Sequence, residues 1–148
     1  MALVEFAFLT QKFYYDYANC PEIEQKPLRP YVVMVFNIGG ISFCIPMRSN
    51  INHPHAYFTD KPRKCGLDFS KTVIIKDRAL YIDKLTKPHI RQDEFNALRG
   101  KERIIETRLR KYIRDYNESK RLLHIPRHSA LVRYSTLQYF EESISRIR

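Results

Sequence analysis

The feature that most restricts this chain is a glycine pair set between two strand-like runs. Tyr31-Val-Val-Met-Val-Phe-Asn-Ile precedes Gly39-Gly40, and Ile41-Ser-Phe-Cys-Ile-Pro46 follows it. β-Branched and aromatic side chains fit a pleated, half-buried surface, and two residues able to take positive φ close a tight hairpin. The sequence therefore predicts an antiparallel hairpin here. Pro46 has no N–H to give to a ladder and is expected to end the second strand.

The rest of the chain is read outward from that hairpin. Leu3 to Thr10 alternates weakly and reads as a first strand, ending at a threonine able to cap a short helix. Gln11 to Cys20 holds Phe13, Tyr14, Tyr15 and Tyr17, an aromatic cluster too dense for an ordinary loop. Pro21 to Pro30, with prolines and charges together, reads as a surface connection. Met47 to Ser70 reads as a polar loop, of a length that is usually functional or partly structured. Lys71-Thr-Val-Ile-Ile-Lys76 predicts a strand, and Ala79-Leu-Tyr-Ile82 a short one.

From Arg91 the period changes. Phe95, Leu98, Ile105, Leu109, Tyr112 and Tyr116 recur on one helical face, with Arg99, Arg103, Arg110 and Arg114 on the other side. Gly100 marks a candidate break. Pro126 stops any continuation, and Ser129 to Ile147 predicts a second helix. Strands come first and helices follow, so the expected class is α+β: a small, strongly bent antiparallel sheet or barrel with long helices packed to one side. At 148 residues and 44% hydrophobic, the chain suits one domain over 1–148, β-rich over 1–85 and helical over 86–148.

Charge narrows the function. Lys and Arg number 26 against 16 Asp and Glu. Met1 to Leu85 has 11 basic and 8 acidic residues, whereas Thr86 to Arg148 has 15 and 8, so the excess sits mostly in the C-terminal half. Such a domain attracts polyanions, and basic residues among 13% aromatics suit single-stranded nucleic acid. No apolar run is long enough to span a bilayer, and Met-Ala-Leu-Val-Glu-Phe lacks the basic start of a signal peptide, so a cytoplasmic protein is expected. Cys20, Cys44 and Cys65, odd in number and widely spaced, fit reduced thiols better than disulfides or a zinc knuckle.

The segment after the hairpin concentrates chemistry. Arg48, Ser49, Asn50, Asn52, His53 and His55 fall within eight residues. Metal-independent RNA cleavage uses these group types. The 2′-hydroxyl attacks the adjacent phosphate, a base and an acid move protons, and donors hold the growing charge. Imidazole titrates near neutrality, and guanidinium matches two phosphate oxygens. Arg29, just before the Tyr31 strand, is placed to reach the same end of the sheet. His53 and His55 with Asp60 or Asp68 offer a metal-binding alternative, but spacing fixes no third ligand. For RNA contact, the candidates are Tyr14 and Tyr17 as stacking rings, Lys26, Asn50 and Asn52, and the helix arginines Arg99, Arg103, Arg110 and Arg114.

At these residues the chain resembles the toxins of type III toxin–antitoxin systems, the group of the ToxN, AbiQ, CptN and TenpN families. The carrying segments are Tyr17-Ala-Asn-Cys-Pro-Glu-Ile-Glu-Gln-Lys-Pro-Leu-Arg29-Pro-Tyr31, the Gly-Gly hairpin, Ile45-Pro-Met-Arg-Ser49-Asn-Ile-Asn-His53-Pro-His55, and Gly66-Leu-Asp-Phe-Ser-Lys-Thr-Val. The likeness is greatest to the TenpN branch and runs from about Phe6 to about Leu123. It implies a small bent SH3-like barrel of the Kid and MazF kind with added helices. It implies a cofactor-free, metal-independent endoribonuclease that leaves 2′,3′-cyclic phosphate and cuts cellular or phage RNA. Its implied partner is a repeated pseudoknot antitoxin RNA in a closed assembly, with a role in abortive phage infection and neither membrane nor DNA as partner. Arg29 takes the place of the family's basic residue before the first hairpin strand. The family's Thr-Ser pair reads Arg48-Ser49 here, and its following lysine reads Ile51. Arg48, His53 and His55 are our substitutes for the missing groups. The competing reading is a non-catalytic RNA- or DNA-binding regulator using the same basic helix.

Overall fold

The computed structural model describes residues 5–23, 31–145 and 147. Strands β1 (Glu5–Leu9), β2 (Val32–Ile38), β3 (Ile41–Arg48), β4 (Ala56–Asp60), β5 (Cys65–Asp68), β6 (Val73–Ile75) and β7 (Ile82–Asp83) form one antiparallel sheet. Helices α1 (Gln11–Asp16), α2 (Arg78–Tyr81), α3 (Gln92–Leu98), α4 (Glu102–Ser119), α5 (Pro126–Tyr134) and α6 (Glu141–Ile144) complete an α+β fold. Short 3-10 turns lie at Phe69–Lys71 and Thr136–Tyr139.

The glycine pair makes the turn that the sequence predicts. Gly39 and Gly40 have φ of +58° and +82°, and Ile38 pairs with Ile41 directly across them. Positive φ at both central residues is the type I′ turn, whose twist matches that of the strands. Asn37 Oδ1 accepts the Gly40 N–H at 3.1 Å and stiffens it.

Pro46 does not end β3. The strand runs on to Arg48, and Pro46 stays in register opposite Val33. Hydrogen-bonded and non-bonded pairs alternate along the hairpin from Ile38–Ile41, which makes Val33–Pro46 a non-bonded pair. The Pro46 nitrogen therefore points to the other edge of β3. There β6 covers Ser42 to Cys44 and β5 covers Met47 and Arg48, so Pro46 falls between the two partners. This change of partner makes β3 the hinge of the sheet, whose order is β4-β5-β3-β2-β1-β7 with β6 beside β3.

Three further expectations are corrected. The Met47 to Ser70 segment is not one loop, because it contains the β4–β5 hairpin. That hairpin is short and carries a register shift between Phe58 and Asp60, which hides its alternation. Ala79 to Tyr81 coils into α2, because the Asp77 carboxylate caps the Leu80 N–H at 3.2 Å, and only Ile82–Asp83 remains a strand. The Ser129 to Ile147 helix is three pieces. Pro126 begins α5, where its missing N–H costs nothing. Ser135 Oγ then accepts the Leu137 N–H at 3.2 Å and breaks the helix.

Thr10 caps α1 as expected, its hydroxyl accepting the Phe13 N–H at 3.3 Å. The long helical face divides into α3 and α4 around Gly100, at φ +74°. Ile105, Leu109, Tyr112, Ile113 and Tyr116 of α4 are buried in one core with Met34, Phe43, Ile45 and Leu67 of the sheet. Each such side chain contributes about 1.5–3 kcal/mol by leaving water. No helix among the described residues is long and apolar enough to cross a membrane.

Candidate functional site

The partner change along β3 brings three chain segments to one end of the sheet. β3 delivers Arg48 as it ends. Asn50, with φ +57°, then turns the chain back, and buried Ile51 pins it by donating its N–H to the Lys64 carbonyl at 3.0 Å. The returning chain passes through His53 and His55 into β4. Pairing with β4 sets Asp68, at the end of β5, opposite Ala56 and so beside His55. Gly66 permits this close approach, since a Cβ there would lie 2.2 Å from the Tyr57 carbonyl oxygen.

Asp68 is the centre of the cluster and is fully buried. Its Oδ2 accepts from Arg48 Nη1 at 2.7 Å. Its Oδ1 accepts from the Ser70 hydroxyl at 2.6 Å and the Ser70 N–H at 2.9 Å. His53 Nε2 lies 3.3 Å from Oδ2 and 3.2 Å from the Ser70 hydroxyl oxygen. Burial alone would push the Asp68 carboxyl up. The hydrogen bonds from His53, Ser70 and Arg48 outweigh it and hold the group below the ordinary carboxylate range.

The two imidazoles have different settings. The His55 backbone N–H donates to His53 Nδ1 at 3.0 Å. In the neutral ring this places the His53 proton on Nε2, facing Asp68. Both His53 nitrogens are thus occupied. The His55 ring stacks on His53 with centroids 5.6 Å apart and leans on Tyr112 of α4, also at 5.6 Å. It makes no hydrogen bond among the described residues. Burial, and then the charge of His53, hold the His55 imidazole below its usual value. His55 is therefore neutral at pH 7 and carries an unshared electron pair on its ring.

Ser49 and Asn50 are exposed beside Arg48, and the Ser49 hydroxyl makes no hydrogen bond among the described residues. Asn52 accepts from Lys64 Nζ at 2.9 Å and donates to the Asn50 carbonyl at 3.1 Å. Arg29 and Lys26 lie outside the described residues. Their described neighbour Tyr31 has the Arg48 guanidinium 5.9 Å from its ring centroid.

Tyr14 is buried, and it lines a cavity of about 30 Å³ with Tyr31, Arg48 and Lys71, room for water but not for a nucleobase. Tyr17 packs its ring on Phe13, Tyr81 and Phe140. The exposed ring of that segment is Tyr15, at 79%.

On α4, Arg103, Arg110 and Arg114 lie within about 40° of one another at 100° per residue, opposite the buried stripe. Arg110 is paired with Glu106 at 3.3 Å, and Arg99 sits in the break between α3 and α4. The helix residues that border the site are others. Arg108 donates to the Ala56 carbonyl at 2.8 Å and lies over Tyr57 and Phe69. The charges of Asp115 and Lys111 reach His55.

Sequence reasoning missed Ser70, Arg108 and Lys64, and it gave Asp68 only as a possible metal ligand. An Asp-x-Ser step able to cap a turn was the available signal for Asp68 and Ser70. No group of three or more His, Cys, Asp or Glu side chains among the described residues is placed to hold a metal ion. Compared with models of protein families, with curated proteins and with solved structures, the chain matches none.

Proposed function

We propose that this chain is a metal-independent endoribonuclease, the toxin of a type III toxin–antitoxin pair, acting from the end of its sheet where Arg48, His53, His55 and Asp68 meet. The observation that carries the reading is the pair of stacked imidazoles beside an anchored guanidinium. The His55 ring makes no hydrogen bond among the described residues and burial favours its neutral form, and Asp68 fixes both His53 and Arg48.

In this reading His55 removes the 2′-hydroxyl proton. The 2′-oxygen bonds to phosphorus as the bond to the 5′-oxygen breaks, leaving a 2′,3′-cyclic phosphate. The departing oxygen takes a proton from solvent at this exposed end. Arg48, held by Asp68, places positive charge at the phosphate, and the Ser49 hydroxyl adds a donor. His53 acts as a positioning residue, because its backbone and carboxylate bonds fix the plane on which His55 stacks. In this reading the sheet is a bent, Kid- or MazF-like SH3-type barrel left open between β4 and β7. The resemblance to the TenpN branch supplies the remaining proposals: a pseudoknot antitoxin RNA as the inhibitor, a closed protein–RNA assembly, a cytoplasmic site of action, and phage defence.

One observation favours the competing reading, a non-catalytic RNA- or DNA-binding regulator. The Arg103, Arg110 and Arg114 stripe is turned away from the helix face that borders the site. Single-turnover cleavage by His55→Ala and Arg48→Ala separates the two. The nuclease reading expects a loss of about 10²–10⁴-fold for His55→Ala with RNA binding retained. Unchanged cleavage in both variants sinks the assignment.

A further inference from the structure

Beside the site lies an open groove of about 450 Å³, lined by Ile51, Asn52, His53, Phe58, Lys61 and Lys64. We infer that this groove is a nucleotide subsite, taking the RNA residue next beyond the two that the scissile phosphate joins. Phe58 would stack on its base, and Lys61 and Lys64 would meet its phosphate. The inference rests on the endoribonuclease reading.

Its size falls within the range of ligand pockets, about 300–1,000 Å³. Ile51 and Phe58 give it an apolar floor, and the cations stand at its rim. Lys61-Pro-Arg63-Lys64 forms the β4–β5 turn, with three positive charges in four residues. Asp60 is taken up by Arg63, at 3.6 Å, and no carboxylate pairs with Lys61 or Lys64 among the described residues.

Lys64 is also aimed rather than loose. Its Nζ donates to Asn52 Oδ1 at 2.9 Å across the groove. Its backbone, at φ +56°, accepts from Ile51, whose neighbour Asn50 is at φ +57°. The backbone bond from Ile51 to Lys64, each at or next to a non-glycine residue in the left-handed region, ties the groove's walls together. Continuity with the site selects the ligand. His53 lines the groove on one side and supports His55 on the other, so a strand leaving the cleavage site meets Phe58 next. An aromatic face beside cations is how single-stranded nucleic acid is held without sequence reading.

The test compares two RNAs in excess EDTA, a dinucleotide and a single-stranded oligomer containing the same scissile step. Wild type is expected to prefer the oligomer in kcat/KM. Phe58→Ala is expected to cut that preference about tenfold, mainly through KM, as losing one stacked base does. Lys61→Ala with Lys64→Ala, both exposed side chains, should also reduce the preference. That pair should lower the slope of log affinity against log salt by about 0.7 per lost phosphate contact. An unchanged preference in both variants overturns the subsite. So does an equal kcat loss on both RNAs, which would mean that the groove acts only through the catalytic cluster. If wild type cuts neither RNA, the nuclease reading fails by itself. Oligomer binding by anisotropy then decides the groove: a loss of about tenfold in Phe58→Ala keeps it as a nucleotide site, and equal affinity removes it.

Discussion

Replacing Asp68 by Asn keeps the shape of the buried carboxylate and one acceptor oxygen for Ser70, but removes the charge facing Arg48 and His53. Removing one partner of a buried ion pair costs about 3–5 kcal/mol. The Arg48 side chain is 24% exposed, so water recovers part of that, and about 2–3 kcal/mol is expected for Asp68→Asn. With a urea slope of about 2 kcal/mol/M, the unfolding midpoint at pH 7 falls by about 1–1.5 M. The pH dependence gives the sign. The folded-state Asp68 carboxyl is held below its ordinary value of 3.8. Its contribution is therefore full above that value and disappears as pH falls through the lower folded-state one. Urea midpoints of wild type and Asp68→Asn should converge on acidification. A gap under about 0.5 kcal/mol at pH 7 would refute the reasoning, as would a gap undiminished at low pH.

Three other outcomes follow from the same geometry. Because His55 is held below its usual value of 6.5, the acid limb of kcat/KM for RNA cleavage should have its midpoint below 6.5, and a midpoint above it would remove His55 as the base. The stability contribution has the same sign, since a depressed histidine favours folding increasingly as pH rises from the folded-state value towards 6.5. Gly66→Ala puts a Cβ 2.2 Å from the Tyr57 carbonyl oxygen and 2.8 Å from Phe58 Cα, and should lower Tm by about 6 °C, for about 2 kcal/mol; an unchanged Tm would mean that β4 moves aside at no cost. If the α4 stripe carries RNA, changing Arg103, Arg110 and Arg114 together to Ala should reduce the salt slope of RNA binding by about 2, while no change in slope would leave the stripe as a solvated face.

The hairpin was legible because Gly39-Gly40 is a local signal: turn chemistry and strand propensity agree over the sixteen residues from Tyr31 to Pro46. The core face of α3 and α4 was legible for the same reason, since its period repeats over several turns. What escaped depended on partners distant in sequence. Pro46 reads as a strand end until β5 and β6 are seen to divide the far edge of β3. The β4–β5 hairpin is too short and too irregular to show alternation. In the site, Arg48, His53 and His55 were visible as a concentration of chemical groups. Nothing local said that Asp68, thirteen residues past His55, would lie under them, because strand pairing makes that contact. The tyrosines show the opposite error: Tyr14 and Tyr17 suggested base stacking, yet the amphipathic turn of α1 faces them inward. Charge alone singled out the arginine stripe, while packing brings Arg108, Lys111 and Asp115 towards the site.

The central claim is that this end of the sheet cuts RNA by transesterification through its own side chains. Its most direct test is to incubate purified, RNA-free protein with long single-stranded RNA in excess EDTA and to identify the product ends, with His55→Ala alongside. The account predicts 2′,3′-cyclic phosphate and 5′-hydroxyl ends from wild type, and a loss of about 10²-fold or more in the variant. Intact RNA with tight, salt-sensitive binding would contradict it in favour of the regulator, and cleavage restored only by divalent ions would contradict it in favour of a metal site.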